Sequence, residues 1–311
     1  MQTELNSMPA KAQPGRRSWK IWWQLTRPHT LTAAFVPVLI GTALALLDYE
    51  IDYLLFGAML LACLVIQAAT NMFNEYYDYK RGLDNEHSVG IGGAIVRHGV
   101  APRKVMAIAL SLYAFALLLG VYICASSSWW LAAVGLVSML VGYLYTGGPY
   151  PIARTPFGEI VAGFFMGMLI ILISFFIQAG EVTSTAIIVS VPIAILVGAI
   201  LLSNSIRDID EDTENGRKTL AILVGKKNAI ILLALMFIVS YVWIIALIFA
   251  TPLSPWLLLT FLSLPKPVKA VKGFIGKKLP IEMVPAMKAT AQTNTLFGFL
   301  LAIGLFIGHF G

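Results

Sequence analysis

Two stretches of the chain place Asn and Asp side chains four residues apart. The first reads Asn71-Met72-Phe73-Asn74-Glu75-Tyr76-Tyr77-Asp78-Tyr79-Lys80-Arg81-Gly82-Leu83-Asp84. The second reads Ser203-Asn204-Ser205-Ile206-Arg207-Asp208-Ile209-Asp210-Glu211-Asp212. Asn74 and Asp78 recur as Asn204 and Asp208, and Asp212 continues the second series. On a helix, positions i and i+4 share a face, so each pair aims two oxygen donors the same way. Such donors suit Mg²⁺, which prefers octahedral oxygen ligation, keeps several waters and completes its shell with substrate phosphate. Two facing sets would clamp a diphosphate between two metal ions and offset the charge that develops as it departs. Lys80, Arg81, Arg97, Arg154, Arg207, Arg217 and Lys218, within, between or just after the two stretches, would take the remaining phosphate oxygens. Acidic residues at helix ends are often only solvated boundary positions. Two clusters with matched spacing at equivalent helix ends favour a site, because ionisable groups at membrane depth are costly and mark function.

The elements that position these residues are read from hydropathy. The 311-residue chain is 58% hydrophobic and 12% charged, about half the charge of a soluble domain. Uncharged runs cover 28–47, 53–74, 105–153, 160–180, 182–206, 228–265 and 289–311. A spanning helix needs about 20 apolar residues, so five runs hold one helix each. The runs 105–153 and 228–265 hold two each, broken at Ser126-Ser127-Ser128 and at Thr251-Pro252-Leu253-Ser254-Pro255. The expectation is an all-α, polytopic membrane bundle of about nine transmembrane helices around a central cavity. The eighth span, Trp256 to Leu264, is short. With nine spans, all 22 Lys and Arg fall on the side of the N-terminus, whereas the opposite loops carry only Asp48, Glu50, Asp52 and Glu181. The positive-inside rule then makes the N-terminus and both acidic stretches cytoplasmic, in a cell-membrane protein. The net charge of +6 describes a basic face beside anionic lipid and does not indicate nucleic-acid binding; no nucleic-acid partner is expected.

Residues 1–18 read as a mobile tail and 19–311 as one transmembrane domain, with motif-bearing loops at about 71–104 and 203–227. The glycines of the 90–99 loop suit a lid that keeps water from a reactive cation. Cys63 and Cys124 fall in apolar helices and read as small core residues. The four histidines are scattered and give no metal spacing.

At these stretches the sequence resembles the UbiA-type superfamily of intramembrane aromatic prenyltransferases, from Thr26-Arg27-Pro28 to the last helix. The family pattern of N-D-x-x-D and D-x-x-x-D stands here as Asn74-Glu75-x-x-Asp78 and Asp208-x-x-x-Asp212. Glu75 replaces the usual Asp, and Gly82 stands where a further Asp is usual, with Asp84 two residues on. Lys80-Arg81-Gly82-x-Asp84, Gly92-Gly93-Ala94-Ile95-Val96-Arg97-x-Gly99, Tyr145-Thr146-Gly147-Gly148-Pro149-x-Pro151 and Gly216-Arg217-Lys218-Thr219-Leu220-Ala221 are similar to the menaquinone-pathway branch. The resemblance implies Mg²⁺-assisted ionisation of a polyprenyl diphosphate to an allylic cation. In that branch the ring of 1,4-dihydroxy-2-naphthoate then attacks, with loss of CO₂. By position it implies Asn74, Asp78, Asp208 and Asp212 as metal–diphosphate ligands, with Glu75, Asp84 and Asn204 as further metal or supporting positions. Lys80, Arg81, Arg97, Arg154, Arg207 and Lys218 become diphosphate contacts. Tyr143 and Tyr145 become cation shields, with interfacial belt tyrosines as the plain alternative. Arg27 either faces the aromatic acid or snorkels. Competing readings are a sister enzyme for 4-hydroxybenzoate or homogentisate, and a secondary transporter, whose site would lie near the midplane on broken helices. Prenyl chain length and oligomeric state are not legible.

Overall fold

A chain of long apolar runs must satisfy its backbone within each run, and helices do this. In the computed structural model, which describes residues 18–28, 30–83 and 93–310, every regular element among those residues is helical. Helix α1 is Ser18–Leu25, α2 Thr32–Ala45, α3 Tyr53–Lys80, α4 the short turn Ala94–His98, α5 Pro102–Ser126 and α6 Trp130–Thr146. Helix α7 runs Gly158–Ala179 through a π-helical stretch, Gly163–Leu169. It is followed by α8 Ser184–Arg207, α9 Ile209–Glu214, α10 Leu220–Val224, α11 Lys226–Ala250, α12 Pro265–Phe274 and α13 Pro280–Phe310.

Six helices (α3, α5, α7, α8, α11 and α13) are long and apolar enough to cross a bilayer, and α2 and α6 are shorter apolar helices. The expected eighth span departs from expectation. It forms a 3₁₀ helix over Pro255–Ser263, and nine residues at a rise of about 2 Å reach only about 18 Å. Pro252, Pro255, Pro265 and Pro267 crowd this segment, and prolines restrict where an α-helix can extend. Nine full-length spans are therefore not reached among the described residues. The expected tail at 1–18 lies, but for Ser18, outside them.

At the end away from the two motifs, helix starts are fixed locally. Asp52 accepts from the amides of Leu54 (2.8 Å) and Leu55 (3.0 Å) to cap α3, and Thr183 accepts from Ala186 (3.1 Å) to cap α8. Inside α8, Pro192 has no N–H for the carbonyl of Ile188. The indole of Trp243 on α11 donates to that carbonyl instead (2.8 Å). Helix α3 packs on α5; α2 packs on α7, α13 and α3; α8 packs on α7, α11 and α13. The close approach of α7 to α8 depends on Gly163 and Gly167, where an added Cβ would strike the backbone of Ala194. Val36, Ile40, Ile193, Phe297 and Leu301 form part of the buried core between α2, α8 and α13.

Candidate active site

The last turns of α3 present Asn71, Asn74, Glu75 and Asp78 at helical spacing on one side. Asn71 is buried and donates to the carbonyl of Thr26 (2.8 Å) and the hydroxyl of Thr30 (2.9 Å). These two bonds dock the α1–α2 connection on α3 and bring Arg27 to the motif. Arg27 holds a left-handed backbone, φ 49°, a costly state for a non-glycine residue that tends to collect at functional sites. With its amide nitrogen facing the carboxylate, Asn74 donates to Asp78 Oδ2 (2.8 Å) and accepts from Arg27 Nη1 (3.0 Å).

Glu75 has a different task. It is buried, and its two oxygens accept from the amides of Gly93 (2.9 Å) and Ile95 (3.1 Å). Arg27 Nη2 stands 3.8 Å from the same carboxylate. Its oxygens are thus spent fastening the start of α4, where Gly93 takes φ 92°. Of the two readings of Glu75, metal or supporting position, these contacts favour the support beneath the site. Asp84 lies outside the described residues, as does the loop up to residue 92.

The second motif spans a break. Helix α8 ends at Arg207, Asp208 bridges, and α9 carries Asp212. The amide of Asp208 donates to the Asn204 carbonyl (3.0 Å), and that of Asp212 to the Asp208 carbonyl (2.7 Å). Arg207 forks onto Asp208 (Nε–Oδ1 2.5 Å, Nη2–Oδ2 2.6 Å). Arg207 is therefore a carboxylate partner here. Arg217 was not among the residues the resemblance carried over as site positions, yet it joins the two motifs. It lies 3.0 Å from Asp212 Oδ1 and 3.9 Å from Asp78 Oδ1. Burial pushes the Asp212 carboxyl up to about 6, against the lowering effect of Arg217.

Other predicted contacts divide. Arg81 donates to the carbonyls of Thr146 (2.5 Å) and Gly148 (2.9 Å) and lies 5.2 Å over the Tyr77 ring. It clamps the end of α3 to the end of α6. Arg154 donates to the Asn215 carbonyl (2.9 Å) and accepts the Lys218 amide (2.9 Å), tying the segment after α6 to the Arg217 loop. Lys80, Arg97 and Lys218 are exposed on this rim. Tyr143 and Tyr145, two residues apart, diverge. Tyr143 bonds the Tyr77 hydroxyl and packs edge-on to Phe73, whereas Tyr145 donates to the Gly158 carbonyl (3.4 Å).

Among the described residues no three acidic, His or Cys side chains converge into a metal cage. The set present, carboxylate and amide oxygens split between two helix ends, still fits Mg²⁺, which keeps waters and takes phosphate oxygens for much of its shell.

A profile of the UbiA prenyltransferase family matches residues 34–275. The chain belongs to that family. Over 308 residues it is 61% identical to the 1,4-dihydroxy-2-naphthoate octaprenyltransferase of Bacillus subtilis (strain 168), covering 99% of both chains. The UbiA fold is shared with an apo UbiA homolog from Aeropyrum pernix K1 (TM-score 0.67, 17% identity, 90% of this chain and 98% of that one). It is shared also with a UbiA homolog from Archaeoglobus fulgidus bound to GPP and Mg²⁺ (TM-score 0.65, 16% identity, 90% and 99%).

Proposed function

We propose that this UbiA-family chain transfers a polyprenyl group from a polyprenyl diphosphate to 1,4-dihydroxy-2-naphthoate, releasing diphosphate and CO₂ and forming demethylmenaquinone. The observation that carries the acceptor is the 61% identity, over 99% of both chains, to a relative named for that acceptor. The site supports the donor half. Asp78 and Asp212 stand on either side of Arg217, with Asn74 against Asp78 and Asp208 one turn before Asp212. Asp78, Asp208 and Asp212, assisted by Asn74 and Asn204, would hold Mg²⁺. Bound there, the ion supplies positive charge to a departing diphosphate.

The remaining roles fall to side chains. Arg217 orients phosphate oxygens, because a guanidinium fork matches them geometrically. Arg27 sits against Asn74 and the buried Glu75 and fixes the near wall. Glu75 draws residues 93–95 down over α3 and helps exclude water, which would quench an allylic cation. The ring of Tyr143, beside Tyr77 and Phe73 at the end of α3, offers a negative π face to that cation. The basic end faces the cytoplasm on the positive-inside rule.

The test is an assay in membranes with a polyprenyl diphosphate and each of three acceptors, with and without Mg²⁺. Metal-dependent product with the dihydroxynaphthoate supports the reading. Product only with 4-hydroxybenzoate or homogentisate contradicts the acceptor, and gradient-driven uptake without covalent product contradicts the chemistry.

A further inference from the structure

Glu159 is the second residue of α7 and is buried, 5% exposed. Its Oε1 accepts from the hydroxyl of Ser205 (3.2 Å). Ser205 Oγ is equally placed to donate to the Leu201 carbonyl (3.2 Å), and one hydroxyl has one proton to give. Glu159 Oε2 is buried with no hydrogen-bond partner among the described residues. A buried carboxyl left in this state within a membrane bundle costs about 1–3 kcal/mol or more and calls for an explanation.

Its position supplies one. Ser205 lies on α8 between Asn204 and Asp208, so Glu159 borders the second motif. From the other side Tyr145 reaches the carbonyl of Gly158, next to Glu159 (3.4 Å). The π-helical stretch Gly163–Leu169 lies just beyond in the same helix. Such bulges often occur at functional sites. In either protonation state Oε2 needs a hydrogen-bonding partner. A prenyl chain offers none, whereas a ring hydroxyl of the aromatic acceptor both donates and accepts, and fits.

We propose that Glu159 Oε2 hydrogen-bonds a hydroxyl of the aromatic acceptor and thereby sets acceptor specificity. The inference rests on the acceptor class proposed above. A site built to bond a hydroxyl rejects an analogue lacking it far more strongly than an apolar pocket would. The experiment uses the full-length protein in liposomes with saturating prenyl diphosphate. It compares kcat/KM for 1,4-dihydroxy-2-naphthoate and for 1-hydroxy-2-naphthoate in wild type, Glu159→Gln and Glu159→Leu. Glu159→Leu is expected to raise the KM for the dihydroxy acceptor at least about 10-fold and to shrink the preference between the two acceptors by on the order of 100-fold. Donor KM should stay within about 2-fold, and Glu159→Gln, which keeps an accepting oxygen, should fall between. Retained selectivity in both variants overturns the inference and leaves the proposed function standing. So does a parallel fall for both acceptors in the isosteric Glu159→Gln. Wild-type protein that prenylates neither naphthoate overturns both.

Discussion

Arg217 Nη2 stands 3.9 Å from Asp78 Oδ1, on a helix that ends more than a hundred residues earlier in the chain. The same guanidinium holds Asp212 at 3.0 Å, so one cation couples the two acidic motifs. Replacing it with Ala should remove the counter-charge that the two carboxylates share. Donor KM is expected to rise at least about 10-fold, and kcat to fall by a comparable factor. Arg217→Lys should recover part of the charge and little of the fork geometry. Steady-state kinetics with the prenyl diphosphate varied would show this, and an unchanged donor KM in Arg217→Ala would argue against the coupling.

The raised Asp212 carboxyl gives a pH dependence of definite sign. Mg²⁺ binds the ionised form, so protonation as pH falls through about 6 competes with the metal. At limiting Mg²⁺ the acid limb of kcat/KM should lie near pH 6, and raising Mg²⁺ should move it to lower pH. Asp212→Asn should remove this dependence of the limb on metal. A limb that does not respond to Mg²⁺ concentration would assign it to another group.

Glu75 fastens residues 93–95, and a supporting role predicts that its loss is felt there first. Glu75→Ala leaves the buried amides of Gly93 and Ile95 unsatisfied, at a cost of about 3 kcal/mol in all. Hydrogen exchange over 93–99 should quicken by roughly the corresponding 100-fold, while Mg²⁺ affinity changes little. Exchange at the wild-type rate together with lost Mg²⁺ binding would restore the metal-ligand reading.

Arg81 makes the opposite contrast with its sequence-based role. Losing two carbonyl bonds and the contact with Tyr77, Arg81→Ala should lower the thermal unfolding temperature in detergent by several degrees. Donor KM should shift less than in Arg217→Ala. A donor KM raised at least as much as by Arg217→Ala would return Arg81 to the phosphate contacts.

These contrasts mark what the sequence discloses. Spans follow from solvation, since an uncharged run of 20 residues has few soluble alternatives, and α3, α5, α7, α8, α11 and α13 were legible on that ground. The Asn/Asp pairs were legible because four-residue spacing is a local property of a helix. What a side chain meets across the bundle is not local. Arg81, Arg154 and Arg217 are alike in the sequence, yet two hold carbonyls and one holds carboxylates. Arg217 carried a signal in its Gly216-Arg217-Lys218-Thr219 setting, and Glu159 in being an acid at the head of an apolar run. The Trp256 to Leu264 segment looked like a span because charge counting registers which side a loop lies on. It does not register how a proline-bounded segment is coiled.

The central claim is that Asp78 and Asp208 belong to one Mg²⁺–diphosphate site. The most direct measurement is Mg²⁺-dependent prenyl transfer to 1,4-dihydroxy-2-naphthoate by Asp78→Ala and Asp208→Ala, each in liposomes at matched protein content. Each substitution is expected to lower kcat/KM at least about 100-fold and to raise the Mg²⁺ concentration needed for half-maximal rate. Near-normal, Mg²⁺-dependent transfer by both variants would contradict the account.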